Sequence, residues 1–159
     1  MKRYEKKHFS RLLILALLAF SGVVTASGKA VSAQINAPAK RLGINYGGGI
    51  VFYLDATGQH GLIAAPGDIK DKMTWDKAIT ECKSFEYGGY HDWRLPSVTE
   101  LKQLYHAKSI VGSFSDTEDY YWSSSMERKE IAWYQDFGDG SQCYGGKDFK
   151  LRVRLVRAF

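Results

Sequence analysis

The run Asp92-Trp93-Arg94-Leu95-Pro96-Ser97-Val98-Thr99-Glu100-Leu101 narrows the folds open to this chain more than any other stretch. Arg-Leu-Pro makes a stiff turn, because the proline ring fixes its own torsion and pushes the preceding residue toward extended geometry. The turn runs straight into a helix start. Ser97 and Glu100 have the S-x-x-E spacing of a capping box, in which each side chain satisfies a backbone N–H at the helix end. The helix is expected from about Val98 to His106, with Val98, Leu101, Leu104 and Tyr105 facing inward.

An earlier helix is read from Trp75, Ala78, Ile79, Cys82 and Phe85, which fall on one helical face. Thr74 is placed to cap it, and Asp76 suits the positive end of its dipole. Glu86 to His91, with Gly88-Gly89, reads as a loop. Upstream, Ile50-Val51-Phe52-Tyr53-Leu54 and Gly61-Leu62-Ile63-Ala64-Ala65 flank the turn residues Asp55 to Gly58 and predict a hairpin. Downstream, Tyr120–Ser124 and Ile131–Phe137 read as strands, with Gly138 to Ser141 as the turn after the second. At the end Lys150, Arg152 and Arg154 alternate with Leu151, Val153 and Leu155. That period of two predicts one buried and one solvated strand face. The order is hairpin, two helices, then strands. It implies an α+β fold with antiparallel pairing.

The leader is read apart from the fold. Lys2, Arg3, Lys6, Lys7 and Arg11 precede the apolar run Leu12 to Val24. That run is too short for a membrane span of about 20 residues and suits a signal peptide. Val31-Ser32-Ala33 offers a cleavage site before Gln34. The expected organisation is therefore a signal peptide at 1–33, a flexible lead-in at 34–45 and one domain at 46–159. The protein is expected to be exported to the periplasm, the cell surface or the medium. No membrane span is expected after leader cleavage.

Charge follows from the same division. Removing the six basic residues and one acid of residues 1–33 from totals of 22 and 17 leaves 16 of each. The basic balance belongs to the leader, so it gives no support for nucleic-acid binding. Export makes a Cys82–Cys143 disulfide plausible; two free thiols are the other reading.

Catalytic motifs are absent from the sequence: there is no H-E-x-x-H, C-x-x-C or G-x-S-x-G. His60, His91 and His106 stand singly. Asp116, Glu118 and Asp119 form an acidic group that could contribute oxygen ligands to calcium, without EF-hand spacing; a solvated turn is the preferred reading, and no cofactor is expected. Trp75 and Trp122 read as core. Tyr87 and Tyr90 in the glycine-rich loop, and Tyr134 and Tyr144 near the strand turns, are expected to be more exposed. Arg128, Lys129, Lys147 and Lys150 flank the same late loops. Together with Tyr134 and Tyr144 they form the candidate ligand-binding set, suited to acidic groups and to stacking on sugar rings.

Asp92-Trp93-Arg94-Leu95-Pro96, Tyr121-Trp122-Ser123-Ser124, Ala132-Trp133 with Asp136-Phe137, and the closing Val153-Arg154-Leu155-Val156-Arg157 together resemble the Lcl C-terminal domain family. That family is named for the end of a bacterial collagen-like adhesin. The resemblance covers roughly Tyr46 to Phe159. It implies a C-type-lectin-like fold related to formylglycine-generating enzymes, with the first and last strands paired and Trp93, Arg94, Pro96 and Trp122 in structural roles. Trp93 would pack, and Arg94 would be a buried or half-buried hydrogen-bonding fork. Relatives often carry Cys where Leu155 stands, which leaves Cys143 as a substitute partner for Cys82 or the bridge lost. The implied function is a non-catalytic module binding a glycan at the cell surface or envelope. An assembly module held by a surface protein and a formylglycine-enzyme-like oxidoreductase are the competing readings.

Overall fold

The computed structural model describes residues 40–114 and 119–159. The leader, the first part of the lead-in, and Asp116 and Glu118 lie outside the described residues. The elements in order are β1 (Asn45–Tyr46), β2 (Gly49–Leu54), β3 (Gly61–Ala64), α1 (Trp75–Ser84), α2 (Val98–His106), α3 (Lys108–Val111), β4 (Tyr120–Arg128), β5 (Ile131–Asp136), β6 (Gln142–Gly146) and β7 (Val156–Ala158). One sheet has the order β1-β2-β3-β7 and the other β4-β5-β6, with all strand neighbours antiparallel. This is the expected α+β architecture. The N- and C-terminal strands share one sheet, and β7 joins it at β3.

The fold starts earlier than Tyr46. The Gly43 N–H donates to the Val51 carbonyl at 2.8 Å, and the Val51 N–H to the Ile44 carbonyl at 3.0 Å. The end of the expected lead-in is thus tied to β2.

A bulge between Val51 and Tyr53 explains how β2 serves two cores. Val51 packs in a cluster with Ile63, Trp75, Ala78, Cys82, Trp93, Leu95 and Trp122. Phe52 packs in a second cluster with Leu62, Leu101, Leu104, Val111, Tyr121 and Phe137. The first cluster takes its helical side chains from α1, the second from α2 and α3. A sheet buried on both faces needs runs of apolar residues rather than alternation, and all four residues of β3 are buried.

The two main helices begin differently. At α2 the full capping box forms: Ser97 Oγ accepts from the Glu100 N–H at 3.2 Å, and Glu100 Oε2 accepts from the Ser97 N–H at 2.8 Å. At α1, Thr74 makes no side-chain cap. The Trp75 N–H donates instead to the distant Lys147 carbonyl at 3.0 Å, so this helix start is completed by tertiary structure.

The C-terminal segment departs most from expectation. Leu151 to Leu155 is not a regular strand with a solvated face. It runs between the sheets. The Ile69 N–H donates to Val153 at 2.9 Å, Ala65 to Leu155 at 2.9 Å and Trp122 to Arg152 at 3.0 Å. Val153 and Leu155 are buried as expected, but so is Arg154, at 0 % exposure. Its Nε donates to Asp68 Oδ1 at 2.5 Å, Nη1 to the Ala65 carbonyl at 3.2 Å, and Nη2 to the Ser113 carbonyl at 2.6 Å. The Phe114 ring lies 4.1 Å from the guanidinium. Every face of the cation finds an acceptor or a ring, which is why it can be buried.

Candidate functional site

The second sheet brings the late loops together at one end. Ile131 pairs with both Arg128 and Gly146, and the Lys147 N–H donates to the Glu130 carbonyl at 3.2 Å. The β4–β5 turn and the segment after β6 therefore run side by side. They carry all four expected basic residues: Arg128, Lys129, Lys147 and Lys150.

The charge at this end is mixed. Glu127, Glu130 and Asp148 interleave with the bases. Lys129 Nζ lies 3.8 Å from Glu130. Lys147 is turned inward, with Nζ 4.1 Å over the Trp75 ring and 3.1 Å from Met126 Sδ. A depression of about 390 Å³ beside it is lined by Thr74, Asp76, Glu130, Lys147 and Asp148. Three carboxylates against one ammonium make that hollow locally negative.

Strand alternation separates the two expected tyrosines. Tyr134 stands opposite Cys143, and Tyr144 opposite Trp133, so they face opposite sides of the sheet. Tyr134 packs edge-on against Trp122 at 5.9 Å and Tyr120 at 5.5 Å, and burial raises its hydroxyl pKa. Tyr144 is 53 % exposed and meets Trp133 edge-to-face, ring centres 5.2 Å apart. The surface aromatic pair is therefore Trp133 with Tyr144. Sequence reasoning placed Trp133 only within a family motif; the strand register is what pairs it with Tyr144. Phe149 and Met126 are also exposed at this end.

The other expected residues fall elsewhere. Tyr87 and Tyr90 are exposed and form a small antiparallel bridge, with the Arg157 guanidinium 3.7 Å over the Tyr90 ring. Arg157 in turn grips both oxygens of Asp92, at 2.7 and 3.0 Å. Trp93, Pro96 and Trp122 are buried. Arg94 forms a fork with both bonds to Glu100 at 2.7 Å, and its side chain is 44 % exposed. It grips the carboxylate that caps α2, and so locks the turn to the helix.

Asp119 is buried, with its carboxylate 2.7 Å from Arg152 Nε and 3.0 Å from Lys72 Nζ. Two cations already occupy this expected oxygen ligand. Among the described residues no three His, Cys, Asp or Glu side chains gather as a metal site.

The expected disulfide is corrected: Cys82 and Cys143 are both free thiols. Cys82 lies on the core face of α1 beside the Leu95 backbone, while Cys143 is half-buried on β6 opposite Tyr134. Burial pushes the Cys82 thiol up to about 11, so it stays protonated at neutral pH and is a poor nucleophile. Asp68, unremarked in the sequence, accepts from Arg154 and from the Tyr121 hydroxyl at 2.8 Å. Burial, and then the charge of Asp68, push the Tyr121 pKa far up.

The model of the Lcl C-terminal domain matches residues 32–157, and the chain belongs to that family. Among solved structures, botrocetin is similar over 73 % of this chain and 93 % of that one, at 14 % identity and a TM-score of 0.41. No curated protein matches the chain. Among the described residues no helix is long and apolar enough to cross a membrane.

Proposed function

We propose that this chain is an exported, non-catalytic binding module that recognises an extracellular or envelope glycan at the Trp133–Tyr144 end of the second sheet. The pair formed by exposed Tyr144 and half-buried Trp133 carries the reading. Aromatic rings offer flat apolar area to sugar rings at little entropic cost. The leader pattern supports export, and the protonated, buried Cys82 speaks against thiol chemistry of the formylglycine-enzyme kind.

The four basic residues contribute less than their number suggests. Their acidic neighbours and the inward turn of Lys147 dilute any local field, and exposed charges are screened over about 10 Å at 0.1 M salt. Binding is therefore expected to rest on stacking, with Arg128, Lys129, Lys147 and Lys150 at its rim.

A glycan array probed with the protein and with two variants tests this. Tyr144→Ala should lower binding at least tenfold. The variant with all four bases changed to Gln should lower it only a few-fold, with a weak salt dependence. Equal binding by Tyr144→Ala would remove the aromatic pair from the site. Capture of a protein partner with no glycan bound would replace this reading with the assembly module.

A further inference from the structure

The second sheet has one open edge. β4 is covered on its outer side, where Trp122 and Ser124 donate to the carbonyls of Arg152 and Pro96 at 3.0 and 2.7 Å. Among the described residues no strand lies beyond β6. Open edges are commonly blunted by charge, proline or brevity. Gln142-Cys143-Tyr144-Gly145-Gly146 has five residues, no charge and no proline.

The register shows which backbone groups point outward. Lys147 bonds to Glu130, and Asp136 to Ser141, so these are bonded pairs with β5. Bonded and non-bonded pairs alternate in an antiparallel ladder. Cys143 and Gly145 therefore turn their backbone groups toward β5. Gln142, Tyr144 and Gly146 turn theirs to the open edge. The Gly146 carbonyl is already used within its own turn, accepting from the Phe149 N–H at 3.1 Å.

We propose that a second copy of this chain occupies the edge, its β6 running antiparallel to the first about a two-fold axis at Tyr144. This register is self-complementary. Tyr144 then faces Tyr144 of the other copy, and Gln142 faces Gly146, so outward groups meet only outward groups. The Tyr144 pair exchanges two hydrogen bonds. Each Gly146 N–H adds one to the opposite Gln142 carbonyl.

Antiparallel pairing lays the Lys147–Lys150 end of one copy, which carries Lys147, Asp148 and Lys150, beside the other's Gly138–Ser141 turn, which carries Asp139. The two segments differ in sign only by one net charge each, two bases less one acid against one acid. Parallel pairing would set like ends together. A second copy is favoured over an unrelated extended peptide because one chain supplies both the matching register and flanks of opposite net charge.

The consequence reaches the aromatic surface. Trp133 and Tyr144 share a face, so two joined sheets place four rings in one line: Trp133, Tyr144, then Tyr144 and Trp133 of the second copy. The dimer does not depend on the glycan reading, and it is measured without glycan.

The chain, expressed with its leader and purified under reducing conditions in the form the cell leaves, is weighed by light scattering. Concentrations run to about 100 µM, well above a micromolar Kd. The wild type and Tyr144→Phe should show twice the monomer mass. Tyr144→Lys sets two ammonium groups across the axis and should be monomeric with an unchanged circular dichroism spectrum. Hydrogen exchange gives a second readout that needs no variant: protection at Tyr144 and Gly146 should rise with protein concentration. A wild type that stays monomeric, a Tyr144→Lys dimer, or exchange at these amides that ignores concentration would each overturn the proposal.

Discussion

Arg154 joins parts of the chain that are far apart in sequence. Its guanidinium holds Asp68, the carbonyls of Ala65 and Ser113, and the ring of Phe114. Removing it would leave the Asp68 carboxylate short of its strongest partner and two carbonyls without donors. Arg154→Met should destabilise the domain by about 3–5 kcal/mol, as breaking a buried pair does. Arg154→Lys should recover less than half of that, since a point ammonium cannot match a planar fork. Urea unfolding measures both. The sequence reading placed Arg154 on a solvated face because alternation alone assigns charged residues outward; nothing local marks a buried acceptor 86 positions away. Cys82 gives a second test. Its thiol is buried and raised to about 11, so a maleimide at neutral pH should label Cys143 and spare Cys82 until the protein unfolds. The unfolded thiol ionises near 9.0, ahead of the folded one, so stability should decline between about 9 and about 11. Finding no free thiol in unfolded, unreduced protein would restore the bridge.

At the scale of elements, α2 was the most legible part of the fold. Its start needs only Ser97 and Glu100, four positions of local sequence, and its boundaries match the structure. Ser97→Ala should cost about 1 kcal/mol in thermal or urea unfolding. Glu100 also carries the pH dependence of this corner. Arg94 beside it, opposed by burial, holds its carboxyl below the usual 4.5. As pH falls, the unfolded chain takes up this proton first. The stabilisation is therefore present above the ordinary carboxylate range and lost as pH drops through the folded value. Glu100→Gln should flatten that part of the pH–stability curve. The Arg94 pair itself contributes about 1 kcal/mol or less, being well exposed. Strand ends were harder to read. β4 was expected to stop at Ser124 and continues to Arg128, through register shifts after Trp122 that no periodicity reveals. The same difficulty hid the Trp133–Tyr144 pair: Tyr144 could be picked from its turn, but its partner depends on the pairing of two strands.

For the whole molecule, the order of elements was enough to give the α+β class, and the lectin-like resemblance added the shared sheet of first and last strands. It could not show that the closing segment lies between the two sheets. Val153 is fully buried there, so Val153→Asp should abolish folding, since an unpaired buried carboxylate costs as much as a small domain has in reserve. A folded Val153→Asp protein, judged by circular dichroism and protease resistance, would contradict this placement. That central position also sets a timetable. Leu151 to Ala158 is synthesised after every other strand and helix described here, yet β3, β4 and the Arg94 turn all draw hydrogen bonds from it. A nascent chain stalled before Leu151 has its helices and hairpin encoded but lacks the segment that joins them. It should remain protease-sensitive until these residues emerge. Under the export proposed above, that delay would bring the chain to the membrane still unfolded enough to be threaded through.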